Sequence, residues 1–199
     1  NVLAAIPPMV SRIYCVDDAC PEKSGDHISA HCQDPRVTVL RHVRNGGVGA
    51  AMLSGYRAAL ADGMAIIVKL DGDGQMNPAL IPRFVRLLLA GEADYCKGNR
   101  FHRPASLVGM PPARLFGNAV LSFLTKLSSG YWQTFDPNNG YTAIHASALR
   151  LLPLDAIDRG YFFESDMLYR LNIARAVVRD IPMDAVYGDE QSSLRIHRV

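Results

Sequence analysis

Ala65-Ile-Ile-Val-Lys-Leu-Asp-Gly-Asp-Gly-Gln75 is the stretch that decides the fold. Its first six residues form a short run, mostly apolar and partly β-branched, with the length of a buried strand rather than a helix. The run stops at Asp71, and Gly72 and Gly74 free the backbone to curl around two carboxylates one residue apart. In α/β proteins a strand end of this kind is the sheet edge where ligands are held. Working outward, residues 13–16, 37–42 and 94–97 read as further strands. Residues 49–61 read as an Ala-rich helix with Met52, Leu53, Tyr56 and Leu60 at helical spacing. Asn77-Pro78 supplies an N-cap and a proline at the first helical position, and Leu80, Phe84, Leu87 and Leu88 make the apolar face that follows. This alternation predicts a Rossmann-like, mainly parallel sheet with helices on both faces.

Beyond residue 100 the pattern loosens. Residues 101–112 are expected to form a loop with three prolines and the basic His102 and Arg103. Residues 114–127 read as a helix with Leu115, Val120, Phe123, Leu124 and Leu127 facing inward. Asn138-Asn139-Gly140 reads as a turn, residues 141–145 as a strand in which His145 is a satisfied core histidine, and residues 164–174 as a helix. Residues 177–180 and 185–187 are late strand candidates. With no repeat, low-complexity tract or linker, residues 1–199 read as one domain.

Of the 199 residues 49 % are hydrophobic and 20 % charged, which excludes a disordered chain. A net charge of +2 is too small for wholesale neutralisation of a nucleic-acid backbone, so no nucleic-acid partner is expected. The four cysteines lack CxxC spacing and read as reduced thiols. No run of eighteen apolar residues spans a bilayer. The start has no basic n-region, runs into Pro7-Pro8 and lacks an initiator Met, so an upstream part of the protein is expected to have been cut away.

Asp71-Gly-Asp-Gly-Gln75 can hold a hard divalent cation, Mg²⁺ or Mn²⁺, with positions left for diphosphate oxygens. As an EF-hand it fails, with Pro82 at the twelfth position and Met76 at the sixth; a phosphatase-type Asp pair would want Thr or Val at Gln75. A plain Asp–Gly turn would need no function at all. Gly46-Gly-Val-Gly-Ala-Ala-Met52 resembles the start of a dinucleotide fingerprint, but Met52 stands where the third glycine belongs. That helix start could serve a phosphate, or its glycines could only allow tight packing. Arg100, Arg103, Arg114, Arg195 and Arg198 are surface charges or, together, a phosphate grip. Glu164 and Asp166 sit at a helix start, where the dipole favours acids in any case.

Taken in order, these pieces resemble a family 2 glycosyltransferase of the GT-A fold. Val16-Asp-Asp18 is similar to that family's acidic strand end, Arg44-Asn-Gly-Gly-Val-Gly-Ala-Ala51 to its Asn/Gly helix start, and Asp71-Gly-Asp73 to its metal-binding DxD. Lys97-Gly-Asn-Arg100, Asp136-Pro-Asn-Asn-Gly-Tyr141 and Phe162-Phe-Glu-Ser-Asp166 resemble its later segments. Within the family the resemblance is to the polyprenyl-phosphate sugar transferases, through Gln75 after the DxD and the Arg114/Asn118 pair; Asn118 departs from their usual Ser. The fold so implied has a first strand and a Pro-x-Tyr-Asn-Glu loop that this chain lacks.

The resemblance implies transfer of a sugar from a nucleotide-diphosphate donor by direct displacement. Donor-side residues would be Asp17, Asp18, Asn45, Gly49 and Asp71, and the metal ligands Asp71, Asp73 and Gln75. Arg100, Arg114, Asn118, Asp136 and Arg195 would face the acceptor. A polyprenyl-phosphate acceptor implies work at the cytoplasmic face of a membrane and needs no base. A saccharide hydroxyl would need Asp166 or Glu164 to take its proton. The competing readings are a Rossmann-type dinucleotide-binding domain and a catalytically dead binding module.

Overall fold

In the computed structural model residues 2–102, 112–137 and 139–184 are described. In chain order they form β1 (Ile13–Asp17), α1 (Ser24–His31), β2 (Val37–Arg41), α2 (Val48–Ala61), β3 (Ile66–Lys69), α3 (Ile81–Leu89) and β4 (Tyr95–Asn99). There follow α4 (Pro112–Ser129), β5 (Thr142–His145), α5 (Ala146–Arg150), α6 (Phe163–Ile173) and β6 (Val178–Pro182). Asn77 does cap, accepting the Ala79 N–H at 3.0 Å, but it opens a short 3₁₀ turn over Pro78–Leu80 from which α3 continues.

β1 and β2 pair in parallel, from Ile13 opposite Val37 to Asp17 opposite Arg41. The other strands form a sheet in the order β3-β5-β4-β6. β4 and β6 are parallel, while β5 is antiparallel to both of its neighbours. Three of these four strands therefore run one way, with β5 reversed between them. Strand direction leaves no trace in hydrophobic periodicity, so the expected sheet is mainly parallel but carries this one reversal. Among the described residues β1 and β3 do not pair, and α2 packs against both.

Alternate residues of the four-stranded sheet feed two cores. Tyr95, Ile144 and Val178 point into one, with Leu53 and Tyr56 of α2, Leu149 of α5, and Met167, Leu168 and Leu171 of α6. Cys96, Ala143 and Ile181 point into the other, under Ile81, Phe84 and Leu88 of α3. There the Phe84 and Tyr141 rings stack with centroids 4.3 Å apart. Burial on both faces explains why the strands read as nearly unbroken apolar runs.

Two expectations from the sequence are corrected. α4 does not turn its apolar stripe inward: Val120, Phe123, Leu124 and Leu127 are exposed, while Thr125 and Ser129 are buried. It packs on α6, and among the described side chains Thr125 Oγ1 lies 3.3 Å from Ser165 Oγ. His145 is not a core histidine; it ends β5 and caps α5, its Nδ1 accepting the Ser147 N–H at 3.2 Å. The side chain of Leu115, the strand expected at 185–187 and most of the proline-containing loop lie outside the described residues.

Two glycines on α2 make a test of the packing. A Cβ on Gly49 would lie 2.4 Å from the Asp158 carbonyl oxygen and 2.8 Å from the Arg159 backbone, whereas one on Gly55 would meet only Val16 Cγ2, at 3.6 Å. Gly49→Ala should cost about 1–3 kcal/mol through overpacking against rigid backbone. Gly55→Ala should be neutral or stabilise by up to about 1 kcal/mol through helix propensity. Chemical-denaturation midpoints of the two variants decide this, and equal effects would refute the tight helix–loop contact.

Candidate functional site

The site is built where β1, β3 and β4 end. Asp17 closes β1 by accepting the Cys20 and Gly25 N–H groups, each at 2.8 Å. These bonds, Cys20's first, hold its carboxyl below the usual range. Asp18 reaches across to the start of α2, accepting the Gly46 N–H at 2.9 Å and the Gly47 N–H at 2.8 Å. Gly47 adopts φ +92°, a conformation that excludes a side chain. Asn45 Nδ2 donates to the Asp18 carbonyl at 3.0 Å. His42 joins the same knot, with Nδ1 2.5 Å from Asp18 Oδ1 and Nε2 2.8 Å from Ser54 Oγ. Desolvation alone would raise Asp18, but the Gly46 N–H, His42 and the Gly47 N–H outweigh it and keep the group lowered.

The start of α2 is therefore partly covered. Asp18 takes the N–H groups of Gly46 and of the N-cap Gly47, the Arg159 carbonyl takes that of Ala50 at 3.2 Å, and Gly49 lies against Asp158 and Arg159. The glycines allow close packing here rather than cradling a phosphate, which removes the ground for the dinucleotide-fingerprint reading. His42 went unnoticed in the sequence; its position just past β2, ahead of Asn45, is the only signal it gives.

At the end of β3, Lys69 is almost wholly buried and ion-pairs with two acids. Its Nζ lies 3.0 Å from Asp71 Oδ1 and 3.3 Å from Glu164 Oε1. A Cβ on Gly140 would lie 2.5 Å from both Asp71 Oδ2 and Lys69 Nζ, so the loop before β5 presses directly on this pair. Asp73 is exposed, with Oδ1 accepting the Gln75 N–H at 2.9 Å.

On β4, opposite Thr142 of β5 as Lys69 is on the other side, lies a second buried cation, Lys97, which is fully enclosed. Its Nζ donates to the Asn139 carbonyl at 2.6 Å. Burial pulls its pKa down to about 8, against the opposing pull of Glu164, Asp136 and Asp180. Arg100 follows on the same strand's exit and is clamped by buried Asp136, Nε to Oδ2 at 2.7 Å and Nη2 to Oδ1 at 3.0 Å. Asn139 Nδ2 donates to Asp136 as well, at 3.1 Å. Asp180 on β6 accepts from Phe135 N–H and Asn99 Nδ2, yet its Oδ1 is buried without a hydrogen-bond partner among the described residues and burial pushes its pKa up to about 6.

Glu164 and Asp166 are separated by the sheet of bonds they make. Two residues on a helix are about 200° apart. Glu164 meets Lys69, whereas Asp166 accepts from Arg170 Nε at 3.0 Å and from the Asp158 N–H at 2.8 Å. The structure thus brings Asp71, Glu164, Lys69 and Gly140 together, and Arg100 with Asp136. Arg114 and Asn118 lie on the first half of α4 with their side chains outside the described residues, as is the whole of Arg195. The lysines went unread in the sequence, although each interrupts an otherwise apolar strand at an inward position.

The donor atoms suit a divalent ion that keeps part of its shell for a ligand. Among the described residues no three His, Cys, Asp or Glu side chains converge as a complete cage. Asp71 and the exposed Asp73 instead offer hard oxygens on one loop, the set that Mg²⁺ or Mn²⁺ uses when phosphate oxygens complete the coordination.

Comparison with known proteins agrees with this architecture. Residues 1–152 match Glycosyl transferase family 2. The undecaprenyl-phosphate mannosyltransferase of Micrococcus luteus is 32 % identical over 178 residues, covering 88 % of this chain and 72 % of that protein. The UDP-N-acetylglucosamine–dolichyl-phosphate N-acetylglucosaminyltransferase of Methanococcus voltae is 30 % identical over 154 residues, 77 % of this chain and 61 % of that one. Glucosyl-3-phosphoglycerate synthase from Mycobacterium tuberculosis, solved with Mn²⁺, UDP and glucosyl-3-phosphoglycerate, superposes with a TM-score of 0.65 at 20 % identity. That overlap covers 96 % of this chain and 67 % of the synthase, and it shows a shared GT-A fold. With the family match spanning most of its length, this chain belongs to glycosyl transferase family 2 and is a glycosyltransferase.

Proposed function

We propose that this glycosyltransferase moves a sugar from a nucleoside-diphosphate donor onto a polyprenyl phosphate at the cytoplasmic face of a membrane. One observation carries the choice of acceptor: both acids that could accept a hydroxyl proton are already engaged. Asp166 is buried and bonded to Arg170 and the Asp158 N–H, and Glu164 is paired with Lys69. A general base needs an oxygen aimed at the proton it removes. A phosphate acceptor is already anionic and needs none. The relatives from Micrococcus and Methanococcus, whose names specify undecaprenyl and dolichyl phosphate, support the same acceptor class. The four free thiols suit a reducing compartment.

In this reading Asp71, Asp73 and Gln75 hold Mg²⁺ or Mn²⁺ with the donor diphosphate. The ion, when bound, supplies positive charge against the charge that develops on the leaving nucleoside diphosphate. Lys69 fixes Asp71 from beneath, and Glu164 balances Lys69. Lys97 holds the Asn139 carbonyl, and so keeps Gly140 against Asp71. Asp17, Asp18, Asn45 and Gly49 shape the donor side by fixing the β1 exit and the start of α2. Arg100, set in place by Asp136, receives the acceptor phosphate together with Arg114, Asn118 and Arg195. The phosphate oxygen attacks the anomeric carbon as the bond to the diphosphate breaks.

Two measurements test the donor half. Asp73→Asn should abolish most Mn²⁺-dependent binding in a calorimetric screen of UDP- and GDP-sugars while leaving the thermal midpoint unchanged, because the side chain is exposed. Gly140→Ala should weaken the same binding about tenfold or more, since Asp71 and Lys69 must move aside by flexing their side-chain ends. Unaltered donor binding in both variants would sink the metal-site assignment.

For the acceptor half, Arg114→Ala should raise the polyprenyl-phosphate KM or lower turnover about ten- to a hundredfold, the worth of one charge-assisted contact, with donor affinity retained. Glu164→Gln should slow transfer less than tenfold. A general base contributes about 10²–10⁴-fold. Loss of that size in Glu164→Gln, with Arg114 dispensable and a saccharide accepted, would make the acceptor a hydroxyl.

A further inference from the structure

From Tyr95 to Phe135 the chain contains no Asp or Glu, although it has 19 of them in all. The same stretch carries Lys97, Arg100, Arg103, Arg114 and Lys126, of which Lys97 is buried in the sheet and Arg100 is paired with Asp136. α4 lies inside it. Its apolar residues at 120, 123, 124 and 127 follow i, i+3, i+4, i+7 spacing, which makes a single stripe. That stripe faces solvent, with Phe123 56 %, Leu124 52 % and Leu127 61 % exposed, while the helix packs inward through Thr125 and Ser129. Trp132 extends the stripe, its ring edge-on to Phe123 with centroids 6.4 Å apart. Exposed Phe135 lies beyond, with Lys126 Nζ 4.3 Å from the centre of its ring. A surface helix of a self-sufficient domain is arranged the other way round, and a contiguous apolar face of this kind marks an interaction site.

The charge around the face selects its occupant. Leu, Phe and Trp beside basic residues, with no acid among them, is the composition of helices that lie in a membrane interface. Aromatic rings favour the headgroup level there, and the basic bias complements an anionic leaflet. A second copy docked on the same face would bring Lys126 towards its own counterpart with no acid on α4 to pair it. Phe135 also immediately precedes Asp136, which clamps Arg100, so the face borders the residues assigned to the acceptor phosphate. Among the described residues no helix is long and apolar enough to cross a membrane.

We infer that the exposed stripe of α4, extended by Trp132 and Phe135, docks on the surface of an anionic lipid bilayer and sets the acceptor side of the site at the headgroups. This rests on the polyprenyl-phosphate reading only for its purpose; the surface itself is argued from exposure and charge.

The test is flotation of the full chain with vesicles of phosphatidylcholine alone or mixed with phosphatidylglycerol. Binding should favour the mixed vesicles and weaken with salt. Leu124→Asp with Leu127→Asp should lower partitioning about tenfold or more. Lys126→Glu should lower it about fivefold or more. The thermal midpoint and metal-dependent nucleotide binding should not change in either variant, nor should transfer to a short-chain, water-soluble polyprenyl phosphate. Absence of vesicle binding, or binding that the paired substitution leaves intact, overturns the proposal. So does a lipid-free dimer, seen by sedimentation, that the same pair dissociates, because a second copy would then cover the stripe. Vesicle binding lost in the variants, with wild-type protein unable to use any polyprenyl phosphate, would uphold the docking surface and remove the acceptor reading instead.

Discussion

A buried ammonium between two carboxylates, Lys69 between Asp71 and Glu164, is the constraint on which the site depends. Desolvating a charge is costly unless it is paired, and the buried Lys69 is paired twice. The three residues come from the end of β3, the loop after it and the first turn of α6, so the pairing fixes where those elements meet. It also restricts what the acids can do. Glu164 is committed to a neighbouring cation, and Asp71 opens its loop from a position that the strand interior dictates.

Lys97 repeats the device on β4, across β5 from Lys69. It is held by a backbone carbonyl at 2.6 Å rather than by a direct ion pair, and the acids around it, Asp136 and Asp180, are spent on Arg100, Asn99 and the Phe135 N–H. Burial therefore dominates, drawing Lys97 down to about 8 and Asp180 up to about 6. The result is a loop, Asp136 to Gly140, supported from below by one lysine while its glycine presses on the other. A low-dielectric floor of this sort strengthens every interaction made above it, which is where a diphosphate and its ion would sit.

Much of this was legible in the sequence because it rests on local patterns. The strand before Asp71, the apolar face of α3 and the acidic start of α6 each follow from spacing within a few residues. What stayed hidden is non-local. The reversal of β5 depends on which strands it lies between, and His42 matters only because β1 and α2 converge on it. Glu164 and Asp166 look equivalent two residues apart, and only the fold sends one to Lys69 and the other to Arg170. The glycines of 46–49 fit a phosphate loop on paper; the 158–160 segment that covers them is more than a hundred residues away in the chain.

The inward reading of α4 failed for a reason that reaches furthest into function. Periodicity identifies an apolar stripe but not the medium it meets, since water-excluding contact with a protein core and with lipid select the same residues. Charge breaks the tie. Helices packed on a core usually carry both signs on their outer face, whereas α4 carries Arg114 and Lys126 and no acid. Among its described side chains the inward ones are Thr125, against Ser165 of α6, and Ser129, while the apolar stripe stays outside. The same helix is therefore joined to the element that carries Glu164, while its outer face stays open to a second solvent. On the proposed reading, this contact would tie the helix that meets lipid to the element that braces the donor loop.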